Sequence, residues 1–161
     1  MTHTIITKSN VETKELAQKL AHSLKGGEVL ALSGDLGVGK TTFTRGLAKG
    51  LGIEEKITSP TFVLLKQYKI SQNLKLKTQN ENLKLKIKNL NLIHIDAYRM
   101  RDEQDALNIG IADFLGRSDT ITIIEWPEKI KQILPKNTIW INFKHINENK
   151  REIAISNKVL E

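Results

Sequence analysis

Val29-Leu-Ala-Leu-Ser33, followed at once by Gly34-Asp-Leu-Gly-Val-Gly-Lys-Thr41, is the stretch whose reading decides the fold. The first five residues are a short apolar run bounded by glycines, the pattern of a strand buried on both faces. The next eight match G-x-x-x-x-G-K-S/T. Glycines let such a backbone curl so that successive N–H groups point inward, a concavity suited to phosphate oxygens. A helical pattern through Phe43, Leu47, Ala48 and Leu51 comes next, and a helix N-terminus adds partial positive charge at the same place. The candidate nucleotide-binding residues are therefore Gly34, Asp35, Leu36, Gly37, Val38, Gly39, Lys40, Thr41 and Thr42. In this reading Lys40 reaches the β- and γ-phosphates of ATP, and the Thr41 hydroxyl coordinates Mg²⁺.

Outward from that core the chain alternates. Toward the N-terminus, Leu16, Ala17, Leu20, Ala21 and Leu24 recur at helical spacing. Ser9 and Glu12 form a capping box and Gly26-Gly27 ends the run, giving a helix near residues 11–24. Toward the C-terminus, Ser59-Pro-Thr-Phe62 reads as loop, because proline biases the residue before it away from helix. Strands are expected over 63–70, 92–96, 121–125, 138–143 and 152–155. Short helices are expected around Gly110 and after Pro127, which suits a first helical turn. Apolar strands alternating with helices predict an α/β domain with the P-loop NTPase fold. It is a single unit over 1–161, with a largely parallel central sheet flanked by helices.

One segment breaks the rhythm. Asn73-Leu-Lys-Leu-Lys77 returns as Asn82-Leu-Lys-Leu-Lys86, with leucine and lysine alternating at period two. It reads as a lysine-rich β-hairpin insertion over 71–91. Of the chain's net charge of +7, this segment supplies +4. The basic balance is thus mostly local, and it argues for a polyanion-binding surface only through that hairpin. Cysteine is absent among the 161 residues, which excludes disulfides and thiolate metal sites. No apolar run approaches a membrane span and no signal-peptide pattern opens the chain, so a cytoplasmic protein with no membrane association is expected.

ATP hydrolysis needs more than a phosphate cradle. Mg²⁺ takes one or two carboxylates besides a hydroxyl, and the attacking water must be oriented. Asp96 ends the run Leu92-Ile-His-Ile, and Glu125 ends Ile121-Thr-Ile-Ile. In an open α/β sheet, ligands sit beyond the carboxyl ends of parallel strands, so both carboxylates can converge on the loop. Metal binding and water positioning are shared between them, and spacing does not divide the roles. Thr61 is a candidate sensor of the γ-phosphate. Arg99, three residues past Asp96, is a candidate for phosphate or for a partner.

Four motifs now stand in one order: the Gly34 to Thr42 loop, Ser59-Pro-Thr-Phe62, His94-Ile-Asp-Ala-Tyr-Arg99 and Glu125-Trp-Pro127. Together they closely resemble TsaE, the bacterial ATPase family also called YjeE. The resemblance implies a role in making threonylcarbamoyladenosine on tRNA, beside the anticodon. It implies a subunit that joins a TsaB–TsaD heterodimer and resets it by hydrolysing ATP, meeting tRNA through that complex. Carried over residue by residue, the P-loop lysine falls on Lys40 and the metal-binding threonine on Thr41. The two strand-end acids fall on Asp96 and Glu125, with Glu125 preferred for the metal. A tryptophan near the nucleotide falls on Trp126, and a switch-like loop on Thr61. Thr13 and Lys150 or Arg151 occupy regions that flank the nucleotide in such proteins. Val38 and Ala97 stand where the family more often has alanine and leucine, and the 71–91 segment is longer than the usual connection.

Three other readings compete with this one. A GTPase switch would use Asp113-Phe-Leu-Gly116, which fits D-x-x-G but sits in a helical stretch without a preceding strand, and Asn149-Lys-Arg-Glu152, which has Glu where its motif has Asp. A small-molecule kinase would need an arginine-bearing lid that the chain lacks. A non-catalytic, nucleotide-gated RNA-binding accessory would rely on the basic hairpin.

Overall fold

The computed structural model of the chain describes residues 2–70 and 90–156. The proposed hairpin and its lysine row fall at 71–91, of which 71–89 lie outside the described residues. Seven strands form one sheet in the order β1-β7-β6-β2-β5-β4-β3. In chain order they are β1 (Thr2–Thr7), β2 (Val29–Ser33), β3 (Leu65–Lys69), β4 (Asn91–Asp96), β5 (Thr120–Glu125), β6 (Ile139–His145) and β7 (Arg151–Ser156). The helices are α1 (Asn10–Ala21), α2 (Lys40–Gly50) and α3 (Glu103–Asn108), with 3-10 segments at Ile111–Asp113 and Pro127–Ile133.

The middle of the sheet is the parallel α/β core that the apolar runs predict. β2 pairs in parallel with β5 and β6, and β4 pairs in parallel with β5. The outer pairings, β1 with β7, β7 with β6 and β3 with β4, are antiparallel. Apolar side chains of β4 and β5 alternate between two layers. Leu92, Ile121 and Ile123 join Leu20, Phe43 and Leu47 on the α1–α2 side. Ile93, Ile95 and Ile124 join Met100, Ile111 and Ile130 on the other. Burial on both faces is why these strands read as nearly continuous apolar runs.

Strand β1 is not announced by an apolar run. Its residues alternate between exposed and half-buried, and it is held as an edge strand by pairing with β7 from Thr2↔Ser156 to Thr7↔Arg151. α1 begins as expected, with the Ser9 hydroxyl accepting from the Glu12 amide at 3.1 Å. The third strand starts later than expected, at Leu65. The amides of Val63 and Leu64 both turn back to the Pro60 carbonyl, and Leu64 takes a left-handed φ of 65°. The segment after Pro127 is a pair of 3-10 turns rather than one α-helix, broken at Ile130 (φ −130°), whose side chain is fully buried in the second layer.

α1 and α2 cross in close contact. A Cβ placed on Gly46 would lie 2.4 Å from the Lys14 carbonyl oxygen and 2.6 Å from the Lys14 Cα. These are backbone atoms of α1 that cannot swing aside. Gly46→Ala should therefore destabilise the domain by about 1–3 kcal/mol despite alanine's better helix propensity. Urea denaturation checks this, and an unchanged midpoint would contradict the close crossing.

Candidate nucleotide site

The sheet register puts the chemistry in one row. At the carboxyl end, Leu32 of β2 pairs with Glu125 of β5, and Glu125 pairs with Asp96 of β4. The two strand-end acids thus stand on adjacent strands, one residue row before β2 runs into its loop. Gly34 starts that loop at φ 138°, where a Cβ would lie 2.6 Å from the Phe143 carbonyl oxygen, so only glycine fits. The loop ends at Gly39, also left-handed, and α2 begins at Lys40 with no side-chain cap. The first amides of α2 are therefore left open for an anion.

Lys40 folds back over its own loop. Its Nζ donates to the carbonyls of Gly34 (2.5 Å) and Asp35 (2.8 Å) and lies 3.9 Å from the centre of the Trp126 ring. Only 4% of the residue is exposed. Burial pushes the ammonium below the ordinary lysine value of 10.5. The negative charges of Glu125, Glu128, Asp96 and Asp35, in that order of strength, oppose the shift.

The two acids are held differently. Glu125 accepts from the Thr41 hydroxyl, 3.1 Å from each carboxylate oxygen, and its Oε1 meets His94 Nε2 at 2.9 Å. Asp96 faces the Ser-Pro-Thr loop instead. Its Oδ2 accepts from Thr61 (2.6 Å) and Ser59 (3.3 Å), and its Oδ1 accepts from the Tyr98 amide at 2.8 Å. Thr41 and Glu125 offer hard oxygen donors of the kind Mg²⁺ takes. Among the described residues no group of three or more His, Cys, Asp or Glu gathers as a ready metal cage. An ion held here would complete its shell with water and phosphate oxygens, which is the habit of Mg²⁺.

An open cleft of about 280 Å³ lies over this row. Its lining includes Leu36, Gly37, Gly39, Lys40, Thr41 and Thr42 from the loop and α2. Ser59, Thr61, Asp96, Tyr98, Glu125 and Trp126 line the other side. Trp126 takes φ 59°, a left-handed conformation that is uncommon outside glycine and costs on the order of 1–3 kcal/mol. The turn brings its indole against the Tyr98 ring, 5.0 Å between centroids, at the cleft wall.

Not every candidate residue lines the cleft. Gly34 and Asp35 act through the carbonyls that hold Lys40, and Val38 is fully buried. Thr13 is buried in a hydrogen-bonded pair with Thr7 (2.8 Å) and bonds the Ser9 carbonyl, away from the lining. Lys150 is exposed in the β6–β7 turn. Its neighbour Arg151 reaches the loop, donating from Nε to the Val38 carbonyl at 2.9 Å. Arg99 stacks over the exposed Phe62 ring at 4.5 Å. Three residues had no role assigned from the sequence: His94, Tyr98 and Ser59. His94 had one available signal, since at period two it shares a face with Asp96. Asp113 and its neighbours up to Gly116 precede the opposite, N-terminal end of β5.

Comparison with known proteins points to one family. Residues 7–153 match the family model for threonylcarbamoyl adenosine biosynthesis protein TsaE. A Bacillus subtilis protein named tRNA threonylcarbamoyladenosine biosynthesis protein TsaE is 37% identical over 145 residues, covering 90% of this chain and 79% of the relative. A protein of the same name from Aquifex aeolicus is 33% identical over 156 residues, covering 96% of each. The crystal structure of YdiB from Bacillus subtilis superposes with a TM-score of 0.71 at 31% identity, covering 96% of this chain and 84% of that one.

Proposed function

The chain belongs to the TsaE family of threonylcarbamoyladenosine biosynthesis proteins, and from that premise we propose that it is the Mg²⁺-dependent ATPase of a tRNA-modifying complex, acting on a TsaB–TsaD heterodimer. The observation that carries the reading is the contact of Thr41 with both oxygens of Glu125, beside the buried Lys40. A hydroxyl, a carboxylate and an ammonium stand together at the mouth of the glycine-rich loop, the set that a metal-chelated triphosphate requires.

In this reading the loop amides and Lys40 hold the β- and γ-phosphates. Thr41 and Glu125 hold Mg²⁺, which when bound neutralises charge on the phosphate oxygens. Asp96, fixed by Thr61, Ser59 and the Tyr98 amide, orients the attacking water. Thr61 couples the Ser-Pro-Thr loop to the state of the γ-phosphate through its bond to Asp96. The water oxygen bonds to the γ-phosphorus as the bond to the bridging oxygen breaks, leaving ADP and phosphate. The free energy released resets the TsaB–TsaD complex between turnovers, and tRNA is met through that complex.

The isolated chain is expected to hydrolyse Mg-ATP slowly. TsaB and TsaD together should raise the rate at least roughly tenfold, since groups supplied by partners stimulate other P-loop proteins by far more. A phosphate-release assay reads this. Stable association with the partners and no change in rate would contradict the mechanism.

A further inference from the structure

His94 lies in the middle of β4, between Lys66 of β3 and Ile123 of β5. Its exposure is 0%, and the neighbouring positions on its face, Leu92, Ile121 and Ile123, are apolar and fully buried. An imidazole is costly in such surroundings unless its nitrogens are paired. Only one is. Nε2 lies 2.9 Å from Glu125 Oε1, while Nδ1 is buried with no hydrogen-bond partner among the described residues. A half-satisfied ring stabilises the fold less than an apolar side chain of similar shape would. The value of the contact therefore lies in what it does to Glu125.

A carboxylate only accepts, so Nε2 carries the proton and donates it. The bond comes from the strand floor and pins Oε1. Oε1 and Oε2 are otherwise equivalent toward Thr41, at 3.1 Å each. The donor from below removes that equivalence and leaves Oε2 as the oxygen with no second protein partner among these contacts. We propose that His94 is a positioning residue, which fixes the Glu125 rotamer so that Oε2 is presented to the metal–phosphate group. The proposal rests on the nucleotide reading above and adds a residue to it. Partners of this kind behind a metal-binding carboxylate commonly carry a large share of metal affinity.

The test compares wild type, His94→Leu and His94→Gln. Leucine keeps an apolar filling. Glutamine returns an N–H donor near the Nε2 position. Mn²⁺ affinity is measured by electron paramagnetic resonance with a non-hydrolysable ATP analogue, and analogue affinity is measured separately in chelator. His94→Leu should bind Mn²⁺ about 10- to 100-fold more weakly, with analogue affinity in chelator unchanged to within about twofold, and His94→Gln should recover most of the loss. Wild-type Mn²⁺ affinity in His94→Leu would overturn the proposal, as would His94→Gln falling as low as His94→Leu. Should His94→Leu not fold, His94→Asn, one methylene short of the carboxylate, takes its place and should show the same loss.

A readout without nucleotide separates this proposal from the functional reading beneath it. In the ligand-free protein the His94 Nε2–H proton should give a slowly exchanging nuclear magnetic resonance signal that moves or vanishes in Glu125→Ala. No such signal would remove the positioning role even where ATP binds. A wild type that shows this signal but binds no nucleotide would keep the link and remove the nucleotide reading.

Discussion

Replacing Lys40 by alanine should weaken ATP binding by on the order of 10- to 100-fold and remove measurable turnover while the domain stays folded. The affinity estimate follows from losing one charge-assisted phosphate contact, about 1.5–3 kcal/mol. The fold should survive because the ammonium's hydrogen bonds run to its own loop, at the Gly34 and Asp35 carbonyls, and its further contact is with the Trp126 ring at the cleft wall. Wild-type pH dependence supplies a second signature. Burial lowers the Lys40 pKa below 10.5, so the charge that binds phosphate is lost on the alkaline side before an ordinary lysine would lose it. Affinity should fall there in the wild type and stay flat in Lys40→Ala. Stability moves the other way. The unfolded chain holds the proton up to a higher pH than the folded one, so this residue's contribution to stability grows as pH rises through the window. Affinity and melting measurements over one alkaline series check both signs.

Glu125→Gln should lower Mg²⁺-dependent turnover on the order of 10²- to 10³-fold, the scale of losing one electrostatic element of a transition-state site. Glutamine is close in shape and can still face Thr41 and His94, but it carries no charge for a metal. Nucleotide affinity in chelator should therefore be unchanged or slightly better. Glu125→Ala adds a separate cost, because it leaves the buried His94 Nε2–H without an acceptor, worth about 1–3 kcal/mol of stability. The alanine variant should melt lower than the glutamine variant, and both should show the turnover loss. Equal losses of metal-free binding and turnover in Glu125→Gln would make Glu125 a scaffold residue.

The parts of the fold that were legible in the sequence are those where one physical demand dominates. β2, β4 and β5 are buried on both faces, and their apolar runs mark them closely, with Gly34 after the end of β2 and the acids Asp96 and Glu125 at the ends of β4 and β5. The loop between β2 and α2 was legible because its glycines answer a backbone requirement. β1 was not, since an edge strand held by pairing with β7 needs little apolar periodicity. The turn at Leu64 and the broken 3-10 segment after Pro127 depend on how distant elements pack, which local pattern does not encode.

The site divides along the same line. Lys40, Thr41, Thr42, Thr61, Asp96, Glu125 and Trp126 all line the cleft. Strand-end position and the helix start were enough to find all but two of them: Thr61 came from the Ser-Pro-Thr loop and Trp126 from the family resemblance. Thr13 and Lys150, carried over by resemblance without a tight motif, point elsewhere: one into a threonine pair, the other to the surface. The Arg151 contact to Val38 and the His94 contact to Glu125 join residues 113 and 31 positions apart. Only the sheet register brings such pairs together.

Equilibrium dialysis of the purified chain against ATP, with and without Mg²⁺, tests the account at its root. One saturable equivalent per chain, displaced by ADP and greatly weakened in Lys40→Ala, is the predicted result. Absence of binding at millimolar ATP, or binding undiminished by the loss of Lys40, would contradict it.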